Sequence, residues 1–69
     1  MFVDFENHPG GHIVTVDTRH VTTVRQDPAD PGRTVIRFSG GTELVVLGTT
    51  TEVKARLEMS YTIRNPKGG

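Results

Sequence analysis

Two short apolar runs that meet at a pair of glycines constrain the fold of this chain most. Residues 33–47 read RTVIRFSGGTELVVL, and β-branched types are frequent on both sides of Gly40 and Gly41. Such runs favour strands, and adjacent glycines supply the positive φ that a tight turn requires. The stretch therefore predicts a β-hairpin with a two-residue turn at the glycine pair.

Length and composition limit the class of protein. The chain has 69 residues, no cysteine, and eight basic residues balanced by eight acidic ones. We expect one domain over residues 1–66 and a frayed tail over 67–69. The lack of cysteine excludes disulfides and thiolate metal sites, and no apolar run approaches the roughly 20 residues of a membrane span. No signal segment opens the chain, so we expect a cytoplasmic protein without a membrane partner.

Alternating apolar residues predict further strands before the central hairpin. Residues 1–6 and 12–16 alternate on either side of the turn sequence HPGG, which predicts a first hairpin. A polar break at 17–19 then precedes a third strand over 21–25. The chain therefore contains four or five strands before its pattern changes.

Two details of the third strand and the loop after it leave alternatives. Val21 and Val24 cannot both point inward on a regular pleat, so the pattern predicts either a bulge or one outward valine. Residues 27–32, DPADPG, read as a turn-rich loop. Their two carboxylates fall far short of the ligands that calcium needs, so we expect no metal there.

The period of the apolar residues changes after the central hairpin. Thr49 and Glu52 have the spacing of a capping box, and Val53 and Leu57 are four apart, as on one face of a helix. Residues 61–64 fit either a continuation of that helix or an extended segment. The order predicts an α+β fold, in which a small antiparallel β-sheet of four to five strands is followed by one C-terminal α-helix.

Strand parity divides the apolar residues into two sets. The set that we expect under the helix consists of Val3, Phe5, Val14, Val16, Val21, Ile36, Phe38, Leu44, Val46, Val53 and Leu57. The set on the other face consists of Phe2, Ile13, Val35, Val45 and Leu47. One helix cannot cover both faces of a sheet, so the second set predicts an apolar patch that a partner covers.

This predicted patch is the candidate interface. Arg33, Arg37 and Glu43 share its strands and form its rim. A second copy of the chain is the simplest partner, since most soluble oligomers are homo-oligomers. A host protein is the other partner of this kind, and a monomer with a mildly apolar face is the alternative.

The order of these elements resembles a known family of short proteins. The succession FVDFENHPGGHIVTVDTRHVTTVRQDP, followed by TVIRFSGGTELVVLGTTTEVKARL, is similar to the FlbD family, also called SwrD. In this resemblance Val21 and Val24 occupy its "I-x-x-I" positions, Gly40-Gly41 its turn, and Glu52-Val53 its helix opening. The first turn is longer here and the DPADPG loop is extended. The resemblance implies a cytoplasmic accessory protein of bacterial flagella or swarming.

Residues that could carry chemistry do not form a recognisable site in the sequence. His8 and His12 are separated by Pro9-Gly10-Gly11, which prevents the helical spacing that a zinc pair uses. Ser39 lies beside the glycine pair without a Gly-x-Ser-x-Gly motif or an indicated acid–base partner. We therefore predict that the protein is not an enzyme and that it has no catalytic residue, cofactor or metal.

Nucleic-acid binding is the main alternative to protein binding. Arg25, Arg33, Arg37 and Arg56 could converge on one side of the sheet. Aromatic residues that would stack on bases are few, and the net charge is zero. The preferred hypothesis is a small non-catalytic interaction protein that self-associates, and its size fits an origin in a phage or mobile element.

Overall fold

The computed structural model describes the backbone of residues 1–64 and the side chains through Glu58. Its strands are β1, Phe2–Glu6; β2, Ile13–Asp17; β3, Val21–Asp27; β4, Asp30–Phe38; and β5, Glu43–Leu47. A short 3-10 turn, Thr18–His20, joins β2 to β3, and the helix α1, Thr50–Arg64, follows β5. The predicted α+β layout is confirmed. The predicted tail at 67–69 lies outside the described residues.

The strands form two antiparallel sheets and not the single sheet that the sequence predicted. β1 and β2 form a two-stranded sheet, and a three-stranded sheet has the order β3-β4-β5. An isolated bridge between Asn7 and Val46 connects them, and the His8 amide donates to the Val45 carbonyl at 2.8 Å. The sheets separate beyond this bridge because β5 ends at Leu47, so β1 has no further strand to pair with.

The turn between β4 and β5 is longer than predicted. The Phe38 amide donates to the Thr42 carbonyl at 2.9 Å, and the Gly41 amide donates to the Phe38 carbonyl at 2.8 Å. These bonds close a loop over Ser39, Gly40 and Gly41. Within it Gly41 has a positive φ of 90°, whereas Gly40 does not. The predicted two-residue turn is wrong, because one left-handed residue after a tight turn closes this loop.

The connection between β3 and β4 is shorter than predicted. Pro28 and Ala29 alone separate the two strands, and half of the expected loop, residues 30–32, belongs to β4. The Asp27 side chain accepts the Ala29 amide at 2.8 Å, which mimics a backbone turn and lets the strands continue close to the bend.

A bulge in β3 confirms one of the two alternatives for its valines. The pairing with β4 shifts register between Val21 and Thr23. The extra residue lets both Val21 and Val24 pack, half-buried, against the core.

The predicted capping box opens α1. The Thr49 amide donates to Oε1 of Glu52 at 2.8 Å, and the Glu52 amide donates to Oγ1 of Thr49 at 3.2 Å. These reciprocal bonds satisfy amides that have no partner within a helix. The backbone of 61–64 continues the helix. Within residues 1–64, no helix combines the length and the apolar character that crossing a membrane requires.

The core lies where the helix covers the inner faces of both sheets. Its buried residues are Val3, Phe5, Val16, Ile36, Val46 and Val53, with Val21, Val24, Phe38, Leu44 and Leu57 partly buried against them. This agrees closely with the predicted inner set. Val14 is half-buried and lies beside a groove described below. The side chain of Arg56 lies over the Phe5 ring at 4.7 Å from its centre, which extends the cover of the core.

Candidate interaction surfaces

The predicted interface residues of β4 and β5 come together as directly opposed pairs. The register joins Val35 to Val45, with Arg33 opposite Leu47 and Arg37 opposite Glu43. Opposed residues of an antiparallel pair point to the same face. The sheet therefore has the outer face that strand parity predicted.

The centre of this outer face is not an open apolar patch. Val35 is 5% exposed, and Val45 is half-buried. Val35 lies outside the buried core cluster, so the chain covers it from the other side of the sheet. The expectation that Val35 is an exposed contact residue is therefore wrong, because parity identifies a face and says nothing of what the neighbouring side chains cover.

An ion pair between the two outer strands of this sheet crosses this face. Arg25, on β3, is opposite Val35 and extends across β4 to Glu43 on β5. Its Nη1 lies 3.0 Å from Glu43 Oε2, and its Nη2 lies 3.4 Å from Oε1. The guanidinium holds the pKa of Glu43 below its ordinary value. Since an arginine stem is aliphatic, this arrangement shields apolar surface while the charges stay in water.

A second set of charges holds Arg33 at the other end of the face. Its Nε donates to Asp27 Oδ2 at 3.0 Å, and its Nη1 lies 2.8 Å from Nε2 of His8. Arginine has no acceptor, so His8 accepts at that nitrogen. The Ala29 amide and then Arg33 hold the pKa of Asp27 below its ordinary value. The Arg33 guanidinium is therefore held by side chains of its own chain, whereas the sequence predicted a cation at the rim of an interface.

Three large apolar side chains of the predicted set remain exposed. Phe2 is 64% exposed, Ile13 67% and Leu47 42%. Glu6 is opposite Ile13, and the bridge that follows it places Glu6 next to Leu47. Ile13 and Leu47 therefore flank Glu6 in one row across three strands. Phe2 lies at the opposite end of β1, so the exposed apolar surface is divided between two places.

A groove of about 490 Å³ lies between β2 and the β4–β5 hairpin. Val14 and Thr15 line it on the side of β2, and Phe38, Glu43 and Leu44 line it on the side of the hairpin. This groove was not predicted. No sequence signal indicated it, because it arises from the separation of two sheets that the sequence did not distinguish.

At one end of the groove, the structure gives Ser39 a partner that the sequence did not indicate. Ser39 Oγ lies 3.4 Å from Nδ1 of His20, and Nε2 of His20 lies 3.6 Å from Asp17 Oδ2. Arg19 binds the same carboxylate through its side chain and its amide, which holds the pKa of Asp17 well below the usual range. The His20 imidazole is 61% exposed, and the Asp17 carboxylate is already bound to Arg19. These contacts therefore join the 3-10 turn to the hairpin and do not resemble a catalytic triad.

Comparison with known proteins adds no relative: no family model, no curated protein and no solved structure matches this chain. The resemblance to the FlbD family therefore stays a prediction. Among the residues that the structure describes, no three histidine, aspartate or glutamate side chains are grouped so that they could hold a metal ion. The geometry of the surfaces is what remains to support a function.

Proposed function

We infer that this protein is a small non-catalytic interaction protein that acts through contacts with other protein chains. The observation that carries the proposal is the exposure of Phe2, Ile13 and Leu47 on the outward faces of regular strands. A large apolar side chain in water forgoes about 1.5–3 kcal/mol that burial would supply. Ile13 and Leu47 lie on the two sides of Glu6, at the point where the sheets meet, so a partner could bury both at once.

A second copy of the chain is the partner that we propose for this row. A twofold axis in the plane of the contact would place Ile13 of one copy against Leu47 of the other, which is the self-complementary geometry of an isologous contact. A host protein with an apolar surface is the other candidate. The lack of cysteine suits a reducing compartment and supports a cytoplasmic location.

The charges of the outer face support protein binding over nucleic-acid binding. Arg25 is paired with Glu43, and Arg33 is paired with Asp27. A cation that is already paired with a carboxylate gains less from a phosphate, because the existing pair must first be broken. Two of the four arginines that could have converged on one side of the sheet are therefore paired with carboxylates of their own chain.

Light scattering at micromolar concentration tests the self-association. We expect a mass above the 7.6 kDa of one chain for the unmodified protein. The double variant Ile13→Asp/Leu47→Asp should return to the single-chain mass, because a carboxylate at position 13 of one copy would then face a carboxylate at position 47 of the other. Thr23→Asp, which adds a charge at an exposed position of β3, is the control and should still associate. A single-chain mass for the unmodified protein at high concentration would remove the proposal of self-association.

A further inference from the structure

The groove between β2 and the β4–β5 hairpin runs along a sheet edge that the described residues leave unpaired. β2 pairs with β1 on one side, and no strand within residues 1–64 pairs with it on the other. The Asn7 amide bonds the His12 carbonyl and the Thr18 amide bonds the Met1 carbonyl, at 2.8 and 2.9 Å. Bonded pairs alternate along an antiparallel ladder. The backbone groups of Thr15, midway between them, therefore point away from β1 and toward the groove that Thr15 lines.

The opposite wall of the groove presents its backbone in the same way. The Phe38 amide bonds the Thr42 carbonyl, so the alternation turns the backbone groups of Glu43 and Val45 away from β4. Val45 confirms this, since its carbonyl accepts the His8 amide. Glu43 lies beyond the reach of that contact and lines the groove. Two strand edges thus present backbone donors and acceptors to one cleft.

The two sheets have four edges, and these differ in how open they are. The edge of β1 meets β5 at the bridge between Asn7 and Val46, and no residue of β1 lines the groove. β3 is irregular at both ends, with register shifts at 21–23 and 26–27, and such bulges disfavour the addition of a strand. β5 is covered at Val45 and Val46 by Asn7 and His8. β2 pairs with β1 without a register shift, and its sequence, IVTVD, has neither lysine nor proline. It is the regular edge that lines the groove, so a strand that enters the groove can extend it.

We propose that this groove binds an extended peptide segment of a partner protein, which adds as a strand to the free edge of β2. Main-chain hydrogen bonds to Thr15 would supply affinity, and alternate side chains of the peptide would pack on Phe38 and Leu44. This site is distinct from the row of Ile13 and Leu47.

The charged residues of the groove specify the peptide further. Asp17, Glu43 and His20 are its ionisable lining residues, and no lysine or arginine lines it. Asp17 accepts three hydrogen bonds from Arg19 and also lies 3.6 Å from His20 Nε2 and 3.9 Å from the Met1 amino group. Glu43 has only the two contacts with Arg25, and a carboxylate has about four acceptor positions, so Glu43 can accept a further donor. The peptide that fits has apolar side chains at alternate positions and a lysine or arginine at the end that faces Glu43.

Fluorescence anisotropy with a short labelled peptide tests the proposal. The probe alternates valine and threonine between terminal lysines, and a second peptide replaces the lysines with glutamates. We expect the lysine peptide to bind at least about tenfold more tightly, equivalent to about 1.4 kcal/mol. Two further peptides are methylated on the amides of either the odd or the even residues. One of the two should bind more weakly by about the same factor, because its methyl groups replace the amide hydrogens that would bond to β2. Equal binding of all these peptides would overturn the proposal.

A matched pair of protein variants places the peptide in the groove. Gly40 lines the groove, has no positive φ, and has open space where a side chain would begin, so Gly40→Trp should narrow the groove without straining the backbone. Ala29→Trp adds the same side chain to the exposed β3–β4 turn, which does not line the groove. We expect binding to fall at least about tenfold in the first variant alone, with equal melting temperatures. Unchanged binding in Gly40→Trp, or equal loss in both, would overturn the site. Peptide binding and the mass of the protein are separate readouts, so this proposal and the self-association can fail independently.

Discussion

Arg25 and Glu43 form an ion pair that spans the middle strand, β4, of the three-stranded sheet. Arg25 is on β3 and Glu43 is on β5, and the two lie 3.0 Å apart over β4. Val35 is opposite Arg25 on that middle strand and is 5% exposed. The pair therefore places charged groups over a face whose central residues, Val35 and Val45, are apolar.

Val35 and Ile36 should differ in how much they contribute to stability. Ile36 is fully buried in the core under α1, so Ile36→Ala should lower the free energy of unfolding by about 2–5 kcal/mol. Val35→Ala should lower it by about 1–2 kcal/mol, since fewer methyl groups are lost and flexible side chains can close over the gap. Urea unfolding followed by circular dichroism measures both. Equal losses would show that the two faces are packed alike.

The adjacent glycines of the β4–β5 turn should respond oppositely to alanine. Gly41 has a φ of 90°, where a side chain clashes, so Gly41→Ala should destabilise the protein by at least about 1–2 kcal/mol. Gly40 lacks that constraint, and nothing lies within 4 Å of an added side chain. Gly40→Ala should be neutral or stabilise by about 0.4–1 kcal/mol through the unfolded chain. Thermal melts of the two variants decide between these outcomes, and a melting temperature lowered as much by Gly40→Ala would contradict the turn geometry.

Acid should destabilise the protein through its bound carboxylates. Hydrogen bonds from Arg19, from the Ala29 amide and from Arg25 lower the pKa values of Asp17, Asp27 and Glu43 respectively. A lowered folded-state pKa contributes stability that is present above the ordinary value, about 4, and is lost as the pH falls through the lowered value. Urea unfolding between pH 7 and pH 2 should show a plateau and then a decline. Asp17→Asn should decline less steeply, and a slope identical to that of the unmodified protein would contradict the assignment.

Binding to random duplex DNA should be weaker than about 10 μM at physiological salt. The chain has no net charge, and two arginines of its outer face, Arg25 and Arg33, are paired with carboxylates. Glu43→Gln releases Arg25 and should raise the affinity more than Glu58→Gln, which removes the same charge from an exposed position of α1. Fluorescence anisotropy with labelled DNA measures this difference. Tight, salt-sensitive binding by the unmodified protein that is lost in Arg37→Ala would favour a nucleic-acid regulator instead.

Local sequence patterns determined the elements of this protein and most of its core. Period-two alternation located the strands, and the spacing of Thr49 and Glu52 located the start of the helix, because these signals depend on neighbours in the chain. Parity also assigned Ile36 and Val46 to the core and Ile13 and Leu47 to the outside. Turn lengths were predicted less well, since the same Gly, Pro and Asp residues serve several turn types.

Only the tertiary structure decided how these elements assemble and which surfaces stay open. The sequence does not show that β1 and β5 meet only at the bridge between Asn7 and Val46, which leaves two separate sheets with a groove beside Thr15. Nor does it show that Arg25 reaches Glu43, eighteen residues away, across the strand that carries Val35. Both depend on groups that are distant in sequence and adjacent in space. Strand parity specifies the direction of a side chain, whereas its exposure depends on what the rest of the chain places over it.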